Sequence, residues 1–377
     1  MTRLDYARAN GTPGLESGRA ALVAVLEERG LSPQELLFSC HAWRADWSAA
    51  AFVLGAGCML WAALRRDRRS LAGCGLALVL AVAALAGGLD ALQPATTQAT
   101  LQAIVEPLSA PAREIVLGAH YDSKTEPLDH VGRSILFMAA AALAAGATAA
   151  LLLRRDFGRQ LGLGAALALL LVALQLVGGR WLGASSHGIV DDGAAAMLLA
   201  ELAAETQGAP LQTTRVRFVW WSGEEVGAQG SAAFVGAQPT PSAPRVVVNL
   251  ECLGAGPDLG IVAREWTGHR IVSADRGLSA ALERAAPGPL HRLPYPSVTD
   301  AGPWLRHGVP AATLLGMAPG GGPPRHLHGA GDNLSRLDGR GVEVARQTLR
   351  RLLHDLDARP SPTSPPLGPL PASRVLE

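Results

Sequence analysis

The sequence has almost no excess of either charge: 33 Lys and Arg against 32 Asp and Glu leave a formal +1. That excludes the basic footprint by which nucleic acid is held, and no nucleic-acid partner is expected. Cysteine is scarce, four in 377 residues. Cys58 and Cys74 fall in apolar stretches and Cys40 and Cys252 in expected strands, so they form no disulfide framework and do not report the compartment. Familiar catalytic signatures are missing as well. There is no His-Glu-x-x-His helix, no Gly-x-Ser-x-Gly elbow and no P-loop, and the glycines at 320–322 are too Pro-flanked to cradle phosphate. The first 45 residues carry Arg3, Arg8, Arg19 and Arg29 among their acids and do not read as a signal peptide.

The most informative absence is local. Four Ala-, Leu- and Gly-rich stretches, 47–64, 70–92, 134–153 and 161–178, contain no Lys, Arg or Glu, and their one Asp is Asp90. Each approaches the apolar length of about 20 residues that spans a bilayer. They come as two hairpins with basic turns, Arg65-Arg66-Asp67-Arg68-Arg69 and Arg154-Arg155-Asp156-Phe157-Gly158-Arg159. Short arginine-rich loops stay cytoplasmic, which places the N-terminus, residues 93–133 and everything after Arg180 on the other side. The expectation is an integral membrane protein with four transmembrane helices and its polar domain on the non-cytoplasmic face. A transporter is disfavoured, since such spans carry functional charges along a pathway and these carry essentially none.

The polar remainder is large enough that core size is not limiting. Residues 215–221 alternate Val216, Phe218 and Trp220 with Arg215, Arg217, Val219 and Trp221, a strand that stops at Ser222-Gly223 and delivers Glu224 and Glu225 at its end. Neighbouring carboxylates in a half-buried site need compensating positive charge, and a divalent metal is its most compact source. One Glu can then ligate while the other stays free as a base. Taken alone, the pair also fits a solvated acidic turn.

Other strands end in the same way. Residues 114–119 lead into His120-Tyr121-Asp122, and 245–250 into Glu251-Cys252. A strand-end His is commonly structural, yet an Asp two residues on is the kind of partner that fixes a ligating imidazole's tautomer. Asp191 and Asp192 precede a helix expected over 194–204, where anions are favoured and where a plain N-cap is the alternative. A Gly/Pro loop at 319–324 leads to His326-Leu327-His328. Helices at 18–29, 226–236 and 341–356 and strands at 35–43, 99–105 and 311–315 complete the pattern.

Strands alternating with helices indicate an α/β domain with a mostly parallel central sheet, and such sheets bind ligands beyond the carboxyl ends of their strands. His120, Glu225 and Glu251 occupy that position. With Asp191 and His328 they form a His and carboxylate set that suits zinc, and one carboxylate can bridge two ions in a co-catalytic pair.

The order HYD, DDG before a helix, WSGEEVGAQGS, NLE, SVTDAGPWLRHGVPA and LHGAGDN resembles the zinc metallopeptidase family of bacterial leucyl aminopeptidases, glutamate carboxypeptidases and glutaminyl cyclases. The likeness covers nearly all of the polar chain and fails over the hairpins and the tail. It implies a three-layer α/β sandwich, here interrupted by two transmembrane helical hairpins, and two zinc ions. His120 and Glu251 would ligate one ion and Glu225 and His328 the other, with Asp191 as the bridge. Glu224 would be the general base, Asp122 the residue orienting His120, and Asp300 would lie near the substrate; apart from the resemblance, Trp304 is a candidate substrate contact beside Asp300, with core packing as the alternative. Glu251 stands where Asp is commoner in the family, and Gly329-Ala330 replaces the usual Thr-Pro, which leaves His326 as the alternative to His328.

The implied organisation is a peptidase domain in three parts, 1–46, 93–133 and 180–358, split by hairpins at 47–92 and 134–179 and followed by a disordered Pro-rich tail at 359–377. The implied activity is a membrane-anchored aminopeptidase acting on peptide or protein N-termini. Because the second hairpin begins soon after His120 and ends shortly before Asp191, the substrate is expected to be membrane-associated, with the lipid bilayer as a second partner. A single-zinc glutaminyl cyclase-like acyltransferase and an inactive peptidase-fold receptor are the alternatives. Retention of His120 and Glu251 speaks against the first, and the filled ligand positions with Glu224 against the second.

Overall fold

In the computed structural model, residues 2–65, 67–182, 185–239, 243–267, 270–295 and 297–358 are described. The expected disordered tail at 359–377 lies outside them. In chain order the elements are α1 (Pro13–Glu28), β1 (Gln34–Cys40), α2 (Arg44–Arg65), α3 (Arg68–Leu85), β2 (Thr96–Val105), β3 (Arg113–His120), α4 (His130–Leu152), α5 (Gly158–Val177), α6 (Ala194–Gly208), β4 (Thr214–Trp221), α7 (Gln229–Ala237), β5 (Arg245–Glu251), β6 (Asp258–Trp266), β7 (Ile271–Ser273), α8 (Arg276–Ala285), β8 (His291–Tyr295), α9 (Ala301–Arg306), β9 (Ala311–Met317) and α10 (Gly339–Asp357). The strands form one sheet in the order β1-β2-β4-β3-β5-β9-β6-β7, with β8 beside β6.

The sheet is mixed rather than mostly parallel, which corrects the sequence reading. Among the described residues β3–β4, β3–β5, β5–β9 and β6–β8 pair parallel, while β1–β2, β2–β4, β6–β7 and β6–β9 pair antiparallel. The reason for the first antiparallel pair lies in the apolar insertion. The chain leaves β1 at Cys40, runs through α2 and α3, and returns at Thr96 directly opposite Cys40. The helices thus replace the tip of a β-hairpin, a connection that only antiparallel strands can use.

Side chains on β3, β4 and β5 are apolar on both faces, as a covered sheet requires. Ile115, Leu117, Phe218, Trp220, Val248 and Leu250 pack with residues of α1, α6, α8 and α10, whereas Val116, Val219, Trp221 and Val247 pack with Phe234 of α7 and Ala301 and Trp304 of α9. Trp220 Nε1 donates to the Ala196 carbonyl of α6 at 2.9 Å, so its buried N–H is satisfied. Trp221 crosses β3 at Gly118, where a Cβ would overlap the indole. At the other end of β3 the buried Glu114 carboxylate accepts from Arg217 Nε and Arg245 Nε, both at 2.7 Å.

The four apolar helices pack together through their small residues, with Ala56, Met59, Cys74, Ala147 and Ala165 in one cluster and Ala49, Ala140, Ala168 and Val172 in the next. Three of them, Arg44–Arg65, His130–Leu152 and Gly158–Arg180, are long and apolar enough to cross a membrane. The stretch expected at 70–92 is α-helical only to Leu85, and the chain turns through Gly87 at φ +82° into a 3-10 turn at Asp90–Leu92.

Candidate metal centre

The carboxyl ends of β3, β4 and β5 lie side by side, His120 being in register with Trp221 and Gly118 with Asn249. Three adjacent strands therefore deliver His120, the Glu224-Glu225 turn and Glu251 to one edge. The loop Ile189–Gly193 before α6 brings Asp191, joined to Asp192 by a cis peptide bond. Val190 N donates to Asp332 Oδ1 at 2.7 Å, and the fully buried Arg8 guanidinium donates to the carbonyls of Gly188 at 2.8 Å, His187 at 2.6 Å and Tyr121 at 2.6 Å. A buried cation is tolerated there because backbone acceptors surround it.

Asp191 is central. Its Oδ1 lies 3.1 Å from His120 Nε2 and its Oδ2 lies 3.1 Å from His328 Nε2. Glu251 Oε1 flanks His120 Nε2 at 3.5 Å, and Glu225 Oε1 flanks His328 Nε2 at 3.2 Å. Two compact groups result, His120 with Asp191 and Glu251, and Asp191 with Glu225 and His328, each with ligand atoms within 4.8 Å of one another. His328, rather than the exposed His326, faces the carboxylates.

The electrostatics show how strongly these groups are coupled. Burial pulls both imidazoles down, but contacts with Asp122, Asp191 and Glu251 hold His120 well above its ordinary value, and Glu225, Asp191 and Glu126 do the same for His328. Burial pushes Asp191 up, yet its hydrogen bonds with the two imidazoles hold it well below the usual range. Glu224 is pushed well above that range by burial and by the charges of Glu251, Glu225 and Asp300, against the pull of His120. Glu225 Oε1 is buried and accepts no hydrogen bond, and neither carboxylate oxygen of Asp192 or Asp300 does. An anionic cluster with Nε2 atoms turned onto carboxylates fits a divalent ion, and the mixed imidazole and carboxylate donors fit zinc.

Asp122 supports one flank. Its backbone carbonyl lies 3.1 Å from His120 Nδ1 and its Oδ1 lies 3.5 Å away. The same carboxylate accepts from Glu224 N at 3.3 Å, Glu225 N at 3.1 Å and Asn10 Nδ2 at 2.6 Å. It therefore holds the Glu224-Glu225 turn as well as the imidazole. Asn249 Nδ2 donates to Glu251 Oε2 at 3.2 Å.

Asp300 is fully buried, and its carboxyl is pushed well above the ordinary range by burial and by Glu251, Asp122 and Glu265, with His120 opposing. Trp304 is not at the site. It is fully buried against Trp221 and Phe234, ring centroids 6.2 and 6.1 Å away, so it packs the sheet instead of lining a cleft.

Several residues of the centre carry no sequence signal. Glu126, buried six residues beyond His120, approaches His328 Nδ1 at 3.4 Å. Burial pushes its carboxyl up, but Lys124, Arg133 and His328 hold it well below the usual range. Tyr295, at the end of β8, has its phenol raised well above the ordinary value by burial and by Cys252, Glu251, Asp191 and Glu224. Glu265 is pushed to about 7 by burial, although it accepts from Thr299 N at 2.6 Å. A strand-end rule could have flagged Tyr295 only if β8 had been recognised. Nothing in the local pattern marks Glu126.

The profile of Peptidase family M28 matches residues 102–353. None of the curated proteins compared matches the sequence. Among solved structures, BSAP, a zinc aminopeptidase from Bacillus subtilis, superposes with a TM-score of 0.56 at 12% identity, covering 93% of this chain and 91% of that one. The LapA aminopeptidase of Legionella pneumophila gives 0.53 at 16% identity, covering 95% and 70% respectively. A glutaminyl cyclase from Porphyromonas gingivalis gives 0.55 at 13%, covering 94% and 95%. At these identities the structural likeness is one of fold.

Proposed function

This chain belongs to peptidase family M28, and from that premise we propose that it is a membrane-anchored di-zinc aminopeptidase. The observation that carries the reading is Asp191, whose two oxygens each lie 3.1 Å from a different imidazole Nε2, with Glu251 and Glu225 on the outer flanks. His120, Asp191 and Glu251 would hold one ion, and Asp191, Glu225 and His328 the other. Zinc, when bound, supplies Lewis acidity that polarises a scissile carbonyl and acidifies water. Glu224 takes the proton from the attacking water and returns it to the leaving amine. It is suited to this because it is half-buried, so water reaches it, and the charges that raise it are those of its carboxylate neighbours. Asp122 keeps it in place by binding the Glu224 and Glu225 amides. Asp300, buried with an unpaired carboxyl beside this cluster, is placed to accept from a substrate's free ammonium group, whose positive charge would offset the burial that holds the carboxyl above its ordinary range.

Membrane anchoring rests on the two helical hairpins. The helix ends nearest the sheet carry Trp43, Asp46 and Arg180, with Arg180 at 2.5 Å from Asp46 and 5.0 Å over the Trp43 ring. The opposite ends carry Arg65, stacked 5.2 Å from Trp61, and the arginines at 154, 155 and 159. Tryptophan and arginine at both ends of apolar helices are the composition of membrane interfaces. The basic turns make that side cytoplasmic, α3 supplies the fourth and shortest span, and the peptidase domain, built from 1–46, 93–133 and 180–358, lies on the opposite face close to the bilayer. Its substrate is then a peptide N-terminus presented at the membrane.

The test is hydrolysis of short peptides with free and acetylated N-termini by detergent-purified, zinc-loaded protein, beside Glu224→Gln. Cleavage confined to free N-termini and lost in the variant is expected. Cyclisation of N-terminal glutamine without hydrolysis would replace the reading with acyl transfer. Equal cleavage of soluble and membrane-tethered peptides after both hairpins are exchanged for short linkers would remove the membrane-substrate part alone.

A further inference from the structure

The two helices of the second hairpin reach the metal centre through the loop at 125–128. Glu126 N donates to the His328 carbonyl at 2.7 Å, and the Glu126 carboxylate lies 3.4 Å from His328 Nδ1. One residue thus holds His328 by backbone and ring together, at a position where His328 adopts φ +64°, uncommon for a side chain of this size. With Nε2 turned to Asp191 and Glu225, Nδ1 is left to carry the proton. A carboxylate accepting that proton fixes the tautomer and ring orientation of a ligating His.

Glu126 is in turn held by Lys124 of its own loop, 2.6 Å from Oε1, and from the apolar helices. Arg133, in the first turn of α4, donates to both of its oxygens at 3.0 and 2.8 Å, and Gln175, in the last turn of α5, donates to Oε2 at 3.2 Å. Gln175 also clasps Leu128, accepting from its N–H at 3.0 Å and donating to its carbonyl at 2.9 Å. The end of the hairpin presses on the same loop: a Cβ on Gly179 would overlap the Thr125 carbonyl, and one on Gly178 would come 3.1 Å from Pro127. A buried amide in an apolar helix is costly unless its hydrogen bonds are made, and each bond of the Gln175 amide goes to Glu126 or Leu128.

We infer that Glu126 is the positioning residue of His328, and that the second hairpin holds it through Arg133 and Gln175, so that the subsite of Asp191, Glu225 and His328 is built on the membrane helices. The inference rests on the di-zinc reading and adds to it a dependence of one zinc on the hairpin. Among the described residues the other subsite is supported by Asp122, Asn10 and Asn249, from the sheet and the N-terminal segment.

The test uses the full-length protein in detergent and reads zinc affinity by competition with a chromophoric chelator, together with kcat and KM. Glu126→Gln is expected to weaken one zinc about 10- to 100-fold and Gln175→Leu to weaken the same zinc about tenfold. The loss should fall on kcat more than on KM. To assign the subsite, each change is repeated in His120→Ala and His328→Ala backgrounds. The remaining zinc should weaken in the first and stay unchanged in the second. Gln175→Leu adds only apolarity to an apolar helix, so it tests the link without opposing insertion. Wild-type affinities for both zincs in Glu126→Gln, or equal weakening in both backgrounds, would overturn the inference. A wild-type chain that binds fewer than two zincs would instead remove the di-zinc reading on which it stands.

Discussion

The two halves of the centre share Asp191 and differ in what stands behind them. His120 ends a strand at the middle of the sheet, with Asp122 two residues on and Glu251 on the neighbouring strand, so its surroundings follow from β-sheet register. His328 sits in a loop, far along the chain from its supporting carboxylate, and is fixed by Glu126, itself tied to apolar helices. The contrast teaches that one side of a site can be held by sheet register and the other by hydrogen bonds from an apolar insertion.

The largest effect is expected from a residue that belongs to neither half. Glu224→Gln should lower kcat by about 10²- to 10⁴-fold, the range for loss of a general base, while both zinc affinities stay as they were. Loss of one zinc in that variant would break the comparison by making Glu224 a ligand. Next comes a change that tests stability apart from support. Glu114→Gln leaves Arg217 and Arg245 buried without their carboxylate and should cost about 3–5 kcal/mol, seen as a lower urea midpoint, with zinc affinities unaltered under native conditions.

A smaller effect sharpens the contrast directly. Asp122→Asn should weaken the His120 subsite about 10- to 100-fold, with little change at the His328 subsite, when zinc affinities are measured in the two single-subsite backgrounds. An equal effect on both would show that the Glu224-Glu225 turn, which Asp122 also holds, transmits the change to the other half.

The smallest is a pH dependence. Burial pushes Glu114 up, but Arg217 and Arg245 outweigh it and hold the carboxyl below its ordinary value. Its contribution is therefore fully present above the unfolded value of about 4.3 and is lost as pH falls through the lower folded value. The difference in urea midpoint between wild type and Glu114→Gln should shrink on acidification below about pH 4. A constant difference would mean that the Arg–Glu–Arg cluster is not what Glu114 contributes.

Legibility followed sequence distance. The strands at 99–105, 114–119 and 311–315 and the closing helix were readable because period-2 and helical patterns are local, and each was found within a few residues. The mixed character of the sheet was not legible because a strand's local pattern does not say which strand it pairs with or in which direction. Strands β6 to β8 went unseen, since β7 is three residues long and β8 carries exposed His291, Arg292 and Pro294 in place of an apolar alternation. Trp304, a candidate substrate contact by its nearness to Asp300 with packing as the alternative, takes the packing role, fully buried with Trp221 and Phe234.

What the sequence by itself determined is the ingredient set: carboxylates and a His at strand ends, apolar helices in pairs, and the peptidase family that its motifs resemble. These follow from short-range chemistry, in which a residue's type and its immediate neighbours suffice. Only the tertiary structure decided that Asp191 faces both imidazoles, that Trp304 is core, and that Glu126 stands behind His328 with Gln175 behind it. Those contacts join residues 49 to 202 positions apart, and such pairings are selected by the packing of the whole chain, because no local pattern distinguishes one buried carboxylate from another.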